Sequence, residues 1–440
     1  MRPRRLAAVV GLATSALLLA ACSSGSSAPG GSTSGGNQPV TLTLSGWSLS
    51  TTPEFQTLAT AFHKEHPNIT IDLKEYDSTN YDTLMTADLA AGKAPDIITM
   101  KNVDHVATYA QGGALLDVSD VKLPSGISGA SSYVINGKSY AVPYRQDSWV
   151  LFYNKDLFAK AGVADPDGSW TWADYMNAAA KLESGLKAAG SSATAAYEHI
   201  WQSTVQGLAN AQSPDAAQGA NILSGNYAYM APYYQDALKL QSEGAQPSFN
   251  TATANKLTYQ AEFGKQQAAM MIMGTWEVAS LLSQVAAGTA DTFNWGIAPA
   301  PQLTSATAGT SNTPVTFGDP TGFAINAKID PSKVTAAKEF LTFAASQTAA
   351  EDLAAIGDTP ALTNAAVSNV FFATKGVPTD SLSKFAWSTH KTYAENPTSV
   401  NTAPVQTILN TMNTSILSGS SSFSSALATA DSAAKSQLGS

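Results

Sequence analysis

The chain has 440 residues, of which 44% are hydrophobic and 13% charged, which is a composition typical of soluble globular proteins. This length is large for a single compact core and suits two lobes. Its formal net charge of −9 disfavours nucleic acid as a partner, because phosphates are bound by clustered Lys and Arg. The single Cys excludes an intramolecular disulfide, and the sequence contains no P-loop, no GxSxG and no metal-ligand spacing among its five His. We therefore expect neither a metal nor a cofactor.

The first 22 residues have the features of a bacterial lipoprotein signal. Three Arg within the first five residues precede an apolar run over residues 6–19, which is shorter than the about 20 residues of a membrane span. The run ends in Leu-Ala-Ala-Cys, which resembles the cleavage and lipidation site of bacterial lipoproteins. The alternative is an ordinary secretory signal followed by a chance Cys. We predict a signal peptide over residues 1–21 and a lipid such as palmitate on Cys22, which anchors the protein to the outer face of the cell membrane.

Residues 22–38 have the composition of a flexible tether. Almost all of them are Ser, Gly, Thr, Pro, Asn or Gln, which have no apolar surface to bury. A coil of this length has a mean end-to-end distance of roughly 20 Å. Such a tether suits a domain that must meet another protein at the membrane surface.

Strand and helix patterns alternate from residue 39 onwards. Residues 40–45 have the period of a strand, and residues 52–54 (Thr-Pro-Glu) predict a helix start with Thr52 as the N-cap. The next predicted elements are a strand over residues 69–73, a helix that ends near Gly92, and an apolar, central strand over residues 95–100. This order predicts a βαβαβ unit with a parallel sheet.

Ligands of open α/β sheets bind beyond the carboxyl ends of the strands. Trp47 follows the first predicted strand, and Asn102 and Asp104 follow the third. Trp47 has two interpretations, stacking on a ligand or packing in the core. These segments indicate a ligand site and carry no enzyme signature.

The second half of the chain gives fewer clear elements. A second region is predicted from about residue 143, and residues 268–274 predict a buried strand with Trp276 and Glu277 directly after it. The other predicted elements are a strand near 150–153, helices that start near 156 and 171, a strand over 322–326, a helix over 331–347 and an amphipathic tail over 405–416.

Six of these segments, in this order, resemble the family 1 extracellular solute-binding proteins of ABC transporters, the group that contains maltose-binding protein. The likeness covers essentially the whole chain after the tether. The segments are 95–98 (PDII), 109–115 (YAQGGAL), 142–144 (VPY), 151–157 (LFYNKDL), 270–276 (MMIMGTW) and 322–326 (GFAIN) before a KEFL helix.

The resemblance implies an α/β, two-lobed periplasmic-binding-protein type II fold, with a hinge and an interlobe ligand cleft. Lobe 1 is expected over residues 39–142 plus 302–352, and lobe 2 over residues 143–301 plus 353–440. The lobes of this family close around a ligand, and the closed form docks on the membrane permease.

The resemblance also assigns candidate ligand residues, since a sugar needs aromatic plates and fixed polar groups. Trp276 matches the family's stacking Trp, with a core Trp as the alternative, and Asp147 matches a carboxylate near the hinge, with a solvated or capping Asp as the alternative. At the third strand the alignment is off by one residue, so Asn102 and Asp104 both stay candidates. Glu277 is a ligand group or a solvated acid, and Asp319 lies at the expected cleft edge.

We therefore predict a lipid-anchored, monomeric protein, not an enzyme, that captures a carbohydrate and delivers it to ABC permease subunits. Many candidate aromatics favour an oligosaccharide, and the acidic balance disfavours an anionic ligand. The alternatives are an exported glycoside hydrolase, which needs two carboxylates about 5–9.5 Å apart, and an adhesive lipoprotein. No sequence segment marks such a carboxylate pair.

Overall fold

The structure is a computed structural model that describes residues 38–213 and 221–439. The predicted signal peptide, Cys22 and the predicted tether up to residue 37 lie outside the described residues. From Pro39 onwards the chain is one compact unit. Within the described ranges, no helix is both long enough and apolar enough to cross a bilayer.

The strands of the described residues pair into a five-stranded sheet, a four-stranded sheet and two short ladders. They are β1 (Val40–Trp47), β2 (Ile69–Tyr76), β3 (Ile97–Met100), β4 (Val134–Ile135), β5 (Lys138–Ser139), β6 (Val142–Gln146), β7 (Trp149–Asn154), β8 (Thr194–Tyr197), β9 (Ala268–Gly274), β10 (Trp295–Pro299), β11 (Val315–Phe317), β12 (Pro320–Ile325) and β13 (Lys391–Tyr393).

Helices connect and cover these strands. They are α1 (Glu54–Glu65), α2 (Tyr81–Ala91), α3 (Val106–Gln111), α4 (Lys155–Ala161), α5 (Trp172–Ala188), α6 (Ser203–Gln212), α7 (Ala231–Ser242), α8 (Phe249–Asn255), α9 (Tyr259–Gly264), α10 (Trp276–Ala286), α11 (Val334–Ala344), α12 (Gln347–Ala354), α13 (Ala365–Ala373), α14 (Ser381–Ser388), α15 (Thr402–Leu417) and α16 (Phe423–Leu438).

The five-stranded sheet has the order β2-β1-β3-β12-β6. β1 is parallel to β2 and to β3, whereas β12 is antiparallel to β3 and to β6. All four residues of β3 are buried, as expected for the middle strand. The predicted βαβαβ unit and its central strand are therefore confirmed.

Helix α1 shows how the local sequence places the first helix on this sheet. It buries Phe55, Leu58 and Phe62 on one face, as the helical spacing of these residues predicts. The predicted N-cap was wrong by one residue, because Pro53 and not Thr52 occupies the cap position, without a side-chain cap. The main-chain N–H of Thr52 instead donates to the carbonyl of Ser48 in the preceding turn.

The four-stranded sheet has the order β10-β7-β9-β8. Every residue of β9 is buried, which confirms the predicted strand over residues 268–274. β8 is parallel to β9, so the carboxyl ends of these two strands lie at the same edge of the sheet. Each large sheet has its own hydrophobic core, one around Phe55 and Phe340 and the other around Phe152 and Met271.

The chain passes between the two sheets at several places. β6, which contains the expected lobe boundary at residue 143, pairs with β12 in the five-stranded sheet and continues through Asp147 and Ser148 into β7. A second passage runs from β11, whose Phe317 packs in the second core, through Gly318 and Asp319 into β12. A third runs over residues 357–362 beside β6, where the carbonyl of Tyr144 accepts from the main-chain N–H of Ala361 at 2.9 Å.

Two helix predictions have different outcomes. The predicted helix start near residue 171 is confirmed, because Thr171 and Asp174 form a reciprocal capping box at α5. The predicted helix over residues 331–347 is confirmed as α11, but it is shorter than expected. Residues 331–333 form a 3₁₀ turn, and the helix ends at Ala344, after which the hydroxyl of Ser346 accepts from the N–H of Ala349 to cap α12.

Candidate functional site

Arg145 lies at the centre of a buried ionic group at the first passage between the sheets. Its Nη1 is 2.5 Å from Oε2 of Glu54, and its Nε is 2.8 Å from Oδ2 of Asp147, an ion pair without an aligned Nε–H hydrogen bond. The hydroxyl of Tyr144 donates to Oε1 of Glu54 at 2.8 Å. Glu54 begins α1, so this group ties the first helix to the end of β6.

The carboxylates outnumber the cations in this group. Burial raises the pKa of Asp147 to about 6, although the charge of Arg145 lowers it. Burial also raises the pKa of Asp358 well above its usual range, and the charge of Glu54 adds to this effect. Arg145, Asp147 and Glu54 are each at most 7% exposed, and Asp358 is fully buried. Solvent therefore screens this ionic group poorly.

Trp276 belongs to a row of rings at the edge where β8 and β9 end. Its indole N–H donates to the hydroxyl of Tyr259 at 3.2 Å, and its ring meets Trp149 edge to face at 5.5 Å. Tyr259 lies 5.4 Å from Trp201, whose ring also contacts His199 at 4.5 Å. Trp201 is 37% exposed, so this row offers an apolar surface at the sheet edge.

The rings of Trp201, His199 and Tyr259 were not among the predicted site residues. Trp201 and His199 follow β8, a strand that the sequence analysis did not separate from the mixed region around it, and Tyr259 begins α9. The available signal was the short apolar run before Glu198. Once that run is identified as a strand parallel to β9, the strand-end rule points to Trp201 as it points to Trp276.

Trp47 is packed in the first core, with only 7% of its surface exposed. Its ring contacts Phe55 and Tyr81 edge to face, at 4.9 and 5.3 Å between centroids. The ammonium group of Lys101 lies 5.4 Å from the ring centroid of Trp47. Most of the Trp47 side chain is therefore packed in the core, and only a small part of it is exposed for stacking on a ligand.

Asn102 and Asp104 lie together after β3, in a polar group with Asp82 and His105. The amide of Asn102 donates to Oδ2 of Asp82 at 2.6 Å, and Oδ1 of Asp104 is 2.8 Å from Nδ1 of His105. Asn102 and Asp104, the two candidates between which the alignment does not choose, therefore belong to one cluster. These side chains are partly buried, and their groups are of the kind that accept and donate hydrogen bonds.

Asp82, Asp104 and His105 are also the described residues that could hold a metal ion, since their donor atoms lie within 4.8 Å of one another. Burial and the charge of Asp104 raise the pKa of Asp82, although His105 and Lys101 act against this, so the acid form of Asp82 is favoured. Burial lowers the pKa of His105, but Asp104 and Asp82 outweigh this effect and raise it. The cluster therefore fits a hydrogen-bonding ligand better than a divalent cation.

Asp319 lies at the second passage, and its carboxylate is held by protein groups. Oδ1 accepts from the main-chain N–H of Glu395 at 2.8 Å, and Oδ2 accepts from the side chain of Asn396 at 2.7 Å. Burial raises the pKa of Asp319 to about 6, and that of Glu395 to about 8. The charge of Asp104 contributes to both shifts. The carboxylate that follows β3 is therefore near enough to Asp319 and Glu395 to affect their ionisation.

Glu277 is fully buried in the first turn of α10, and neither carboxylate oxygen has a hydrogen-bond partner in the described part of the chain. Burial raises its pKa well above the usual range. The alternative of a solvated acid is therefore wrong.

Comparisons with known proteins agree on the architecture. Residues 48–351, more than half of the chain, match the bacterial extracellular solute-binding protein family. The structure of a sugar transporter from Rhizobium etli, in an open conformation, is 30% identical, has a TM-score of 0.72 and is matched over 90% of this chain and 99% of its own. A substrate-binding protein from Listeria monocytogenes in complex with cycloalternan is 19% identical, with a TM-score of 0.72 over 91% of this chain and 100% of its own.

Curated relatives match over shorter stretches. The sn-glycerol-3-phosphate-binding periplasmic protein of Escherichia coli strain K12 is 33% identical over 168 residues, 35% of this chain and 36% of the relative. An uncharacterized lipoprotein of Streptomyces antibioticus is 31% identical over 182 residues, 39% of this chain and 38% of the relative. The matched stretches thus span about a third of the curated relatives, and the two-lobed fold rests on the structural matches. By the extent of the family match, the chain belongs to the bacterial extracellular solute-binding proteins.

Proposed function

We propose that the protein captures a carbohydrate between its two lobes and delivers it to the permease of an ABC importer. The observation that carries this proposal is the row of Trp276, Tyr259 and Trp201 at one sheet edge, with polar side chains near the passages. Sugars present an apolar ring face and many hydroxyls, so their sites combine aromatic plates with fixed acceptors and donors. The Rhizobium etli relative is named a sugar transporter, which supports this ligand class.

The same row supports an oligosaccharide over a single sugar. The rings of Trp201 and Tyr259 are 5.4 Å apart, and the indole of Trp276 bonds the hydroxyl of Tyr259. The buried Tyr259 thus links two Trp side chains that are both partly exposed, and two such rings can contact more than one sugar unit. Trp276, Asn102 and Asp104 are the predicted residues that we retain as direct ligand contacts. Trp47 is a candidate only through its exposed edge. Before they could contact a ligand, Asp319 would have to break its hydrogen bonds to Glu395 and Asn396, and Glu277 would have to leave its buried position.

An anionic ligand is a second candidate, because one relative binds sn-glycerol-3-phosphate. A phosphate needs an unpaired cation, such as a bidentate Arg. Arg145 pairs with Glu54 and Asp147, and Lys101 lies in the field of Asp82. This distribution of charge favours a neutral sugar. The family and its matched structures are binding proteins, so a glycoside hydrolase has no support from them.

Lobe closure would occur at the passages between the sheets. We propose lobe boundaries at residues 147–148, 318–319 and 357–362, in place of the boundaries 142/143, 301/302 and 352/353 expected from the sequence. The pairing of β6 with β12, and the packing of Phe317 in the second core, support these positions. Closure is favoured by those contacts that a sugar makes with both lobes at once.

Attachment to the membrane through Cys22 remains a proposal, as does the monomeric state. The Leu-Ala-Ala-Cys sequence and the Streptomyces antibioticus relative, which is named a lipoprotein, support lipidation. Metabolic labelling with a clickable palmitate analogue tests it. Label should appear in the wild-type protein and be absent from the Cys22→Ala variant.

A thermal-shift screen of residues 39–440 against neutral mono- and oligosaccharides tests the proposed ligand class. A sugar present at 100 times its Kd stabilises the folded protein by about 2.7 kcal/mol, which raises Tm measurably. The shift should be lost in Trp276→Ala and kept in Trp295→Ala. Trp295 is also partly buried, but it pairs with Asn154 at the far end of β7. A folded wild-type protein that no sugar stabilises would contradict the proposal.

A further inference from the structure

Asp147 contacts the beginning of the helix that carries Trp276. Its Oδ1 accepts the hydroxyl hydrogen of Thr275 at 2.9 Å, and Thr275 directly precedes Trp276. Next to it, the carbonyl of Ser148 accepts from the main-chain N–H of Thr275 at 3.0 Å. Asp147 is 3% exposed, so these bonds form out of contact with bulk water.

Helix α10 has no cap from its own sequence. Thr275 occupies the N-cap position with a helical backbone (φ −64°, ψ −15°), and its side chain caps no N–H of the helix. The first N–H groups of a helix need outside acceptors, and the positive end of the helix dipole favours a negative charge there. The passage between β6 and β7 supplies both, since the carbonyl of Ser148 accepts from the N–H of Thr275 and Asp147 brings the negative charge.

The other side of the Asp147 carboxylate faces Arg145, which also pairs with Glu54. Glu54 is the first residue of α1 and the acid of its first turn. Arg145 therefore joins two carboxylates, and each lies at the N-terminal end of a helix. α1 packs in the core of the five-stranded sheet and α10 in the core of the four-stranded sheet. The ionic group thus connects one helix start from each half of the molecule.

We propose that Asp147 is a positioning residue, which fixes the start of α10 and with it the ring of Trp276, and is not an acceptor for ligand hydroxyls. The resemblance to the family implies the opposite role for this carboxylate. Both of its oxygens are occupied by protein groups, Oδ1 by Thr275 and Oδ2 by the ion pair with Arg145. A ligand hydroxyl would have to displace one of these groups from a buried position. The importance of this role for transport rests on the proposed sugar contact of Trp276.

The test reads the position of Trp276 in the ligand-free protein. The chain is labelled with 5-fluorotryptophan, and the ¹⁹F resonance of Trp276 is assigned by its absence in Trp276→Phe. Thr275→Val removes the hydroxyl that binds Asp147, and Asp147→Asn removes the charge. Both variants should move the Trp276 resonance by more than its linewidth. Thr275→Ser, which keeps the hydroxyl, should restore the wild-type position.

Two further comparisons separate positioning from general loss of structure. Thr402→Val removes another buried hydroxyl, bonded to the carbonyl of Pro397 at the start of α15, and should leave the Trp276 resonance unchanged. The double variant of Thr275 and Asp147 should move the resonance no further than the larger single change, because both act through one contact. If Asp147→Asn does not fold, the near-isosteric Thr275→Val and its Ser counterpart carry the test.

Two results would overturn the proposal. One is a Trp276 resonance that stays in place in both Thr275→Val and Asp147→Asn. The other is an Asp147→Asn protein that loses binding of the sugar identified in the thermal screen while its Trp276 resonance is unchanged, since Asp147 is then a ligand contact. If the resonance moves as expected but no sugar binds even the wild-type protein, the positioning role stands and the proposed function fails.

Discussion

The indole N–H of Trp276 donates to the hydroxyl of Tyr259 at 3.2 Å, which links the first residue of α10 to the first residue of α9. Tyr259 is 8% exposed and its ring also contacts Trp201 and His199. Tyr259 therefore connects Trp201, through its ring, to Trp276, through its hydroxyl. The orientation of the stacking surface depends on this bond as well as on packing.

Tyr259→Phe should weaken sugar binding by about threefold to tenfold while the protein stays folded. The substitution keeps the ring and removes the acceptor of the Trp276 N–H, and a hydrogen bond of this kind contributes about 0.5–1.5 kcal/mol. Isothermal titration calorimetry with the sugar found in the thermal screen measures the change. Tyr153→Phe, on β7 at the far end of the same sheet, is the matched control and should bind like the wild type. Equal affinity of all three proteins would mean that this bond does not orient Trp276.

The sequence predicted those parts of the fold that depend on local patterns. The alternation before Trp47, the helical stripe that starts at Phe55 and the apolar run of β9 each bury their side chains as expected. The end of the helix predicted over residues 331–347 was placed three residues too late, because α11 ends at Ala344 and Ser346 caps the next helix. The polar side chain at that position was the available signal.

The candidate site was predictable only as a set of strand ends. The strand-end rule selected Trp47, Asn102 and Asp104, and the family resemblance selected Trp276, but neither could tell which polar groups already have protein partners. Glu54 and Arg145 are 91 residues apart, and Asp319 and Asn396 are 77 apart. Such pairs form only when distant segments pack together, so sequence spacing carries no record of them. The same reason hides the complete burial of Glu277.

Arg145→Leu should destabilise the protein by about 3–5 kcal/mol, because it leaves the buried carboxylates of Glu54 and Asp147 without their cation. Arg145→Lys should recover only part of this loss, since an ammonium group cannot reach both carboxylates as a guanidinium does. Urea denaturation followed by circular dichroism measures the change. Lys265→Met, which breaks the exposed pair with Asp291, should leave stability almost unchanged. An Arg145→Leu protein as stable as the wild type would show that the carboxylates are protonated without the guanidinium.

The free energy of unfolding should decrease as pH rises from about 4.5 to about 8, because the carboxyl group of Glu395 loses its proton in the folded protein only near pH 8. Burial raises the pKa of this carboxyl from 4.5 to about 8, and the charge of Asp319 adds to the shift. In this window the folded chain holds a proton that the unfolded chain has released, so the free energy of unfolding decreases as pH rises. Glu395→Gln cannot ionise, and its Tm relative to the wild type should therefore increase from pH 5 to pH 8.

Differential scanning calorimetry at a series of pH values measures this difference. Glu183→Gln, on α5, serves as the control for removal of a carboxylate away from the site, because Glu183 pairs with Lys187 on the same helix. Its Tm relative to the wild type should stay level over the same range. A Glu395→Gln profile that runs parallel to that of the wild type would contradict the raised pKa.

Glu277→Met should raise the stability of the ligand-free protein by about 1–3 kcal/mol. The carboxyl group of Glu277 is fully buried and neither oxygen has a partner in the described residues, and an unsatisfied buried polar group costs about this much. Met has a similar length and fills the same space without polar atoms. The thermal shift of the ligand-free variant measures the gain, and Glu277→Gln, which keeps a polar group in place, should not reproduce it. A loss of stability in Glu277→Met would reveal a hydrogen-bonded water or another partner for the acid. If the variant is more stable but no longer binds sugar, the protein keeps a destabilising acid because the closed, ligand-bound form uses it.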